Sequence, residues 1–395
     1  MKSLGGMIYM SKKIGVVTTS RADYGLLYPI MKEIQVSKQL SLKIIATGMH
    51  LLPQYGYTIN NIKSDFKDVD EIDMYLGNPE QYSLVKSIGV GFISFAEYLK
   101  YKKMDMIIIL GDRSELIVPA YSAMLCGIPI AHIFGGDNID KYVTYDNNIR
   151  HSITKIASIH FTAIREHSER IRKLGEEEWR IHQIGSPALD YIKKCNYITK
   201  EELQKKFKRI DFSKPYCVLT FHPVHTEVND ISTQIKNIIE AINTFNLQVI
   251  ATYPNNDVGS KIIIDYLKKE SNKNDKFVLT NSLLQEEYYS LLRYSRLMLG
   301  NSSSGVLEST SFRIPSINIG SRQRGRIKGD NVIDTDYSVN QIENAIEKSL
   351  NNKKFIKLCK NSINPYGDGN ASKKLVEVLE NIGDYNKLIY KRITY

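Results

Sequence analysis

The feature that most constrains this chain is a repeated unit: a short apolar run, a cluster of small or polar residues that ends it, and a stretch of helical period. Residues 14–19 break at Ser20-Arg21-Ala22-Asp23-Tyr24-Gly25, and a helix is expected from about 26 to 36. Residues 42–48 end at Met49-His50. Residues 106–110 deliver Gly111-Asp112-Arg113-Ser114 ahead of a helix through Met124, and 128–133 opens into Gly135-Gly136-Asp137. A helix at about 148–158, a strand at 159–162 and a helix through Leu174 complete the first half, and 181–187 carries the chain out of it. Such alternation is the pattern of a parallel sheet covered by helices on both faces. Ligands bind outside the carboxyl ends of these strands, where each polar cluster falls.

The pattern restarts after a charged segment at 199–214, expected to be helical. Strands are expected at 217–221, 247–252, 277–280, 297–299 and 316–320, with helices at 230–245, 258–270 and 284–294 between them. The prediction is an α/β chain of two Rossmann-like domains facing across a cleft. The first covers 11–187 and the second 188–370; residues 371–395 form a C-terminal helix and tail able to return to the first domain. With 395 residues, 42% of them hydrophobic, the chain is long enough to bury two cores.

Composition narrows the function. The net charge is +10, from 53 basic and 43 acidic residues, but basic and acidic residues interleave along helical stretches. This reads as solvated helix faces and gives no nucleic-acid partner. No run is long enough to span a bilayer, and Met1 to Lys13 has no apolar core of a signal peptide, so no membrane partner and a cytoplasmic location are expected. With a second methionine at Met10, the first ten residues are expected to be a start-site extension. Cys126, Cys195, Cys217 and Cys359 lack metal or CxxC spacing and read as reduced packing residues. No histidine cluster has metal spacing, and no GxGxxG follows the first strand, which speaks against a metal and against NAD.

Gly300-Asn301-Ser302-Ser303-Ser304-Gly305 follows the apolar run Leu297-Met298-Leu299 and leads into Val306-Leu307-Glu308. A buried strand feeding a hydroxyl-rich turn at a helix start suits an anion, with Gly300 and Gly305 letting a phosphate near the backbone and Glu308 accepting from ribose hydroxyls. The same residues also make ordinary loop and N-cap chemistry. Arg322, Arg324, Arg326 and Lys328 stand beyond the next strand, and arginine's planar fork matches phosphate oxygens; a plain surface loop is the alternative. Arg21 offers a cation from the first half unless it pairs with Asp23. Asp112, Asp137, Asp146 and the Arg150-His151 pair concentrate titratable groups at one sheet edge, where crowded carboxylates perturb one another into acid and base. His222, ahead of Pro223, is placed to touch ribose or phosphate or to move a proton.

Taken in register, these segments resemble a known family. Ser20 to Gly25, Thr47-Gly48-Met49-His50, Leu110-Gly111-Asp112-Arg113, the Gly135-Gly136-acid turn, Ile149-Arg150-His151-Ser152-Ile153-Thr154-Lys155, Phe221-His222-Pro223, Gly300 to Gly305, Asn318-Ile319-Gly320-Ser321-Arg322-Gln323 and Pro365-Tyr366-Gly367-Asp368-Gly369-Asn370-Ala371 look like the hydrolysing UDP-N-acetylglucosamine 2-epimerases from about 14 to 382. The resemblance implies the two-domain GT-B fold with UDP lying mainly on the second domain, and with Arg21, His222, Asn255, Ser302, Ser303, Glu308 and Arg322 on the nucleotide. It puts Asp112, Asp137 and Asp146 in the catalytic pocket, with His50 and Arg113 alongside. It implies no redox cofactor, a homodimer or homotetramer, and conversion of UDP-N-acetylglucosamine and water to N-acetylmannosamine and UDP through 2-acetamidoglucal. The same chemistry on UDP-2,4-diacetamido-2,4,6-trideoxyglucose, or a GT-B glycosyltransferase, stands as the alternative. Where the family pattern has Glu after the glycine pair this chain has the shorter Asp137, and where two adjacent acids are common it has Asp146-Asn147.

Overall fold

The structure is a computed structural model and describes residues 11–53, 56–75, 81–138, 146–254, 259–281 and 283–394. The proposed start-site extension and Asn255 lie outside these residues. The described chain forms two compact units, one holding the residues up to 138, 146–191 and 367–394, the other holding 192–366. The division falls a few residues beyond 187.

In the first unit, β1 (Lys12–Thr18) leads to α1 (Arg21–Val36) and β2 (Leu40–Thr47). The helix starts at Arg21 and not near Leu26, because Asp23, three residues after Ser20, accepts the Ser20 backbone N–H at 2.9 Å and closes a capping box. Residues 51–105, for which the sequence reading names no element, hold α2 (Ile59–Asp65), β3 (Val69–Ile72) and the 21-residue α3 (Gln81–Tyr101). Next come β4 (Met106–Leu110), α4 (Ile117–Leu125), β5 (Ile130–Ile133), α5 (Asp146–Ile156), β6 (Ile159–Thr162) and α6 (Arg165–Lys173). Residues 181–187 do not simply leave the domain: β7 (Ile181–Gln183) pairs with β6 as the last strand, and α7 (Pro187–Lys194) then makes the passage between units.

All seven strands run parallel in the order β3-β2-β1-β4-β5-β6-β7. Because both faces are covered, the strands read as unbroken apolar runs. Along β4, Met106, Ile108 and Leu110 enter one core while Ile107 and Ile109 enter the other. Helix α1 covers the first face through Leu27, Ile30, Met31 and Ile34; α3 and α4 cover the second through Phe95, Leu99, Val118 and Ala123.

The second unit opens with α8 (Lys200–Lys206), shorter than the helix expected over 199–214, since Phe207, Ile210 and Phe212 turn inward and are buried. Strand β8 (Tyr216–Thr220), α9 (Ile231–Asn243), β9 (Gln248–Thr252), α10 (Ser260–Lys273), β10 (Phe277–Thr280), α11 (Gln285–Tyr294) and β11 (Leu297–Gly300) follow. After α12 (Ser304–Leu307) and β12 (Ser316–Ile319), a further β13 (Val332–Thr335), α13 (Val339–Asn351) and α14 (Lys353–Asn361) extend the unit beyond the sequence reading. The parallel order is β10-β9-β8-β11-β12-β13.

The final helix, α15 (Ala371–Glu380), packs on α1 in the first unit. Its first backbone N–H groups, of Ala371 and Ser372, donate to the buried Asp190 carboxylate at 2.8 and 2.6 Å, an acid at the positive end of the helix. Beyond it, buried Arg180 donates to the carbonyls of Leu388 and Tyr390, and Lys391 pairs with Glu176 at 2.6 Å. Burial pushes the Glu176 carboxyl up, but His160 and Lys391 outweigh it and hold the group at about 2.

Candidate functional site

In each sheet the strand order reverses once, between β1 and β4 and between β8 and β11. The carboxyl ends of adjacent strands diverge there, which is where open α/β sheets take ligands. In the first unit the two ends are Thr18-Thr19-Ser20 and Gly111-Asp112-Arg113. Asp23 ties the former down, accepting from Thr18 Oγ1, Thr19 N, Thr19 Oγ1 and Ser20 N at 2.8–2.9 Å. It is therefore not the partner of Arg21, which opens α1 exposed.

His50 does not lie open to a ligand. It has 0% exposure, and both ring nitrogens are engaged, Nε2 with Thr18 Oγ1 at 2.9 Å and Nδ1 with Thr58 Oγ1 at 2.7 Å. Thr18 spends its only proton on Asp23, so Nε2 is the donor and Thr58 donates to Nδ1. His50 thus braces the end of β1 through Thr18. Arg113 lies in front of it, its Nε donating to buried Glu115 at 2.5 Å and its Nη2 3.0 Å from Met49 Sδ.

Asp112 and Asp137 are brought together through Arg150. Helix α5 presents this buried guanidinium so that Nη2 pairs with the Asp112 carboxylate while Nη1 donates to the Asp137 carbonyl at 2.8 Å and to Asn147 Oδ1 at 3.0 Å. A cation thus stands among the acids, where the sequence reading had carboxylates perturbing one another. The Asp137 carboxylate faces buried His167 at 3.4 Å. Gly136 makes that approach possible: at φ +75°, an added Cβ would sit 2.2 Å from the His167 carbonyl oxygen. Asp146 is the first residue of α5, beside Asn147, whose amide donates to Asn138 at 2.9 Å.

Behind Asp112, His132 has 0% exposure and its Nε2 donates to the Gly111 carbonyl at 2.8 Å, leaving Nδ1 to accept from Thr154 at 3.1 Å. Burial lowers His132 to about 3, and burial lowers His50 to about 4 with Asp23 opposing in part. Unfolded histidines titrate near 6.5, so below that pH the unfolded chain binds protons that the folded chain refuses. Their contribution is fully present above about pH 6.5 and is lost as pH falls toward 4, with a slope of about 1.4 kcal/mol per pH unit for each histidine. Urea unfolding at pH 7 and pH 5 is expected to give the lower midpoint at pH 5; equal midpoints would show that neither ring stays neutral in the fold.

In the second unit the switch point joins Thr220-Phe221-His222 to Gly300-Asn301. Asn301, 0% exposed, links them: its side chain accepts from the His222 backbone N–H at 2.7 Å and donates to the His222 carbonyl at 2.8 Å. Its own carbonyl accepts from Arg322 Nη1 at 3.1 Å and Gln323 Nε2 at 2.9 Å. Burial, with Arg322 adding to it, lowers His222 to about 3, so at neutral pH it is an uncharged imidazole, better suited to hydrogen bonding than to removing a proton. Of the expected basic cluster, Arg322 is tied directly to this turn. Arg326 bonds Gln323, Lys328 pairs with Asp334 at 2.7 Å, and Arg324 is exposed.

The glycines of the serine turn are required by packing. A Cβ on Gly300, at φ +123°, would lie 2.0 Å from the Thr220 carbonyl oxygen, and one on Gly305 would lie 2.9 Å from Ser316 Oγ. The helix after the turn, α12, is a single turn capped by Ser303, so the hydroxyls and local N–H groups carry the polarity more than a helix dipole does. Glu308 closes that turn instead of lying inside a helix, and accepts from Ser304 Oγ at 2.5 Å and Tyr289 Oη at 3.0 Å. Burial raises its carboxyl above the usual range against these two donors. Tyr288 Oη is buried toward the hydroxyls of Thr220, Ser302 and Ser304, and burial followed by the Glu308 charge raises the phenol.

The sequence profile described as UDP-N-acetylglucosamine 2-epimerase matches residues 32–380. This chain belongs to that family. It is 35% identical over 387 residues to a Legionella pneumophila protein named UDP-N,N'-diacetylbacillosamine 2-epimerase (hydrolyzing), covering 98% of this chain and 100% of the relative. It is 38% identical over 349 residues to the GDP/UDP-N,N'-diacetylbacillosamine 2-epimerase (hydrolyzing) of Campylobacter jejuni, covering 88% and 89%. The crystal structure of Neisseria meningitidis UDP-GlcNAc 2-epimerase bound to UDP-GlcNAc superposes with a TM-score of 0.79 at 20% identity, covering 93% of this chain and 99% of that one. The two parallel sheets with interleaved helices are therefore the GT-B fold of this epimerase family. Sequence reasoning did not name His167 or Tyr288, carried Asn301 and Gln323 only as members of motifs, and offered Asp23 only as a partner for Arg21. The Ser-x-x-Asp spacing of a capping box was the one readable signal, for Asp23.

Proposed function

We propose that this chain is a hydrolysing 2-epimerase acting on a UDP-linked 2-acetamido sugar, with UDP-2,4-diacetamido-2,4,6-trideoxyglucose as its substrate. The observation that carries the choice of sugar is the 35% and 38% identity to relatives named for diacetylbacillosamine. UDP-N-acetylglucosamine, the substrate the motifs alone imply, is the second reading, favoured by 31% identity to a Neisseria meningitidis protein named UDP-N-acetylglucosamine 2-epimerase.

In this reading the second unit takes the nucleotide. Ser302, Ser303, Arg322 and the neutral His222 address the diphosphate, Glu308 accepts from the ribose hydroxyls, and Arg21 and Asn255 complete the set. The first unit supplies proton transfer. One carboxylate among Asp112, Asp137 and Asp146 removes the C2 proton as the C1–O bond to UDP breaks, giving the 2-acetamidoglucal. Water then adds its hydroxyl at C1, and a second acid delivers a proton to the other face of C2. Departure of the diphosphate is eased by cations fixed in advance, Arg322 and Arg113. A nucleotide-sugar substrate fits a cytoplasmic location, and no helix among the described residues is long and apolar enough to cross a membrane.

Proton NMR in D2O separates the readings. Turnover of the diacetamido substrate, with UDP release and deuterium at C2 of the free sugar, is expected to exceed turnover of UDP-N-acetylglucosamine by at least about tenfold, a difference of 1.4 kcal/mol in transition-state binding. The reverse preference would make the second reading the correct one. Release of UDP without deuterium at C2 would remove the elimination mechanism.

A further inference from the structure

The beginning of α11 carries two adjacent tyrosines whose hydroxyls differ in what they meet. The helix start is fixed locally, since the Glu287 carboxylate accepts from the Leu284 backbone N–H at 2.8 Å. Tyr289 Oη donates to Glu308 at 3.0 Å and accepts from Gln285 Nε2 at 3.2 Å, so it is satisfied within the chain. Tyr288 Oη is buried against the hydroxyls of Thr220, Ser302 and Ser304, yet it has no partner in hydrogen-bond geometry among the described residues. Buried polar atoms nearly always find one, and a hydroxyl left without it lowers stability.

The neighbouring hydroxyls have bonds of their own. Ser304 Oγ donates to Glu308 at 2.5 Å, Thr220 Oγ1 is 2.8 Å from Thr252 Oγ1, and Ser302 Oγ accepts from the Ser304 backbone N–H at 3.3 Å. Ionisation gives the phenol no relief, because burial, with the Glu308 charge adding to it, raises the group above its ordinary value and it keeps its proton at neutral pH. What remains is a fixed donor at the second unit's switch point, next to the serines of the turn. A ribose hydroxyl brings a proton of its own, which Glu308 is placed to receive. A diphosphate oxygen brings only lone pairs and a charge, so it is the acceptor that this donor fits, and a hydrogen bond to a charged oxygen is the stronger kind.

We propose that Tyr288 is a further binding residue for the substrate, its hydroxyl donating to a diphosphate oxygen held beside Ser302. The inference rests on the proposed function, in which the serine turn takes the diphosphate.

Tyr288→Phe removes the hydroxyl alone, and two measurements on the full chain separate binding from structural support. By calorimetry, UDP is expected to bind the variant about tenfold more weakly than the wild type, a difference of about 1.4 kcal/mol. Uridine, followed by ligand-observed NMR, is expected to bind both proteins alike. In thermal melts without ligand, Tyr288→Phe is expected to unfold no earlier than the wild type, since the hydroxyl it loses had no partner. Tyr289→Phe, which takes a donor from Glu308, is expected to unfold earlier and gives the size of shift that a satisfied hydroxyl produces. A shift of that size in Tyr288→Phe would show its hydroxyl to be satisfied inside the fold and would overturn the proposal. Unchanged UDP affinity, or an equal loss of uridine, would overturn it as well. A wild-type chain that fails to bind UDP would instead remove the reading of the serine turn on which the proposal stands.

Discussion

Asp112→Asn is expected to lower kcat by about 10²–10⁴-fold, the range for loss of a positioned acid or base, with UDP affinity unchanged. The carboxylate lies two residues beyond β4 at the sheet's switch point and is paired with the buried Arg150. Asparagine keeps the size and removes the charge. Arg150 retains the Asp137 carbonyl at 2.8 Å and Asn147 at 3.0 Å, so the guanidinium is not left without acceptors and the fold is expected to survive, less stable by about 1–3 kcal/mol. Apart from Arg21, which has no bond to Asp112, the proposed nucleotide groups belong to the other unit, so isothermal titration with UDP should not register the change. Single-turnover kinetics with calorimetry on the same sample gives the answer. Retention of wild-type kcat would take Asp112 out of the reaction, and loss of UDP binding alongside kcat would point to a damaged fold instead.

Gly300→Ala is expected to be the most destabilising single methyl that can be added to the second unit. The residue ends β11 at φ +123°, a region that L side chains rarely enter, and the new Cβ would meet the Thr220 carbonyl oxygen at 2.0 Å. Backbone strain of about 1–3 kcal/mol and overpacking of about 1–3 kcal/mol together remove a large share of a domain's stability of about 5–15 kcal/mol. Separation of β8 from β11 would also pull Asn301 away from His222 and Arg322. A thermal melt should therefore show early unfolding of part of the chain, with UDP binding lost at temperatures where the wild type still binds. A melt superimposable on the wild type would mean that the two strand ends yield easily, and that Asn301 does not depend on their spacing.

Much of the fold was legible because parallel strands covered on both faces must be continuous apolar runs. Met106–Leu110 and Phe277–Thr280 were read to the residue for that reason. The region 51–105 was not legible, because α3 carries apolar residues on both its buried and its exposed side and so lacks a polar face to set the period. β7 was missed because three half-exposed residues at a sheet edge make no apolar run. The short α12 was overestimated, since a serine-rich turn announces a helix start and says nothing of how soon the helix ends.

The sequence by itself determined the alternation of strands and helices, and hence the parallel sheets, and it placed polar clusters at strand ends together with the family's motifs in order. Those are properties of local period and spacing, which one chain carries without reference to partners distant in sequence. Only the tertiary structure decided what each polar residue does. Arg150 reaches Asp112 across 38 positions, and Asn301 holds His222 across 79. Arg113 turned to Glu115, and His50, two residues beyond a strand, ended behind the site with no exposed surface. Hydrogen bonds and burial depend on which strands become neighbours, and that order is set by packing of the whole sheet and not by any one segment.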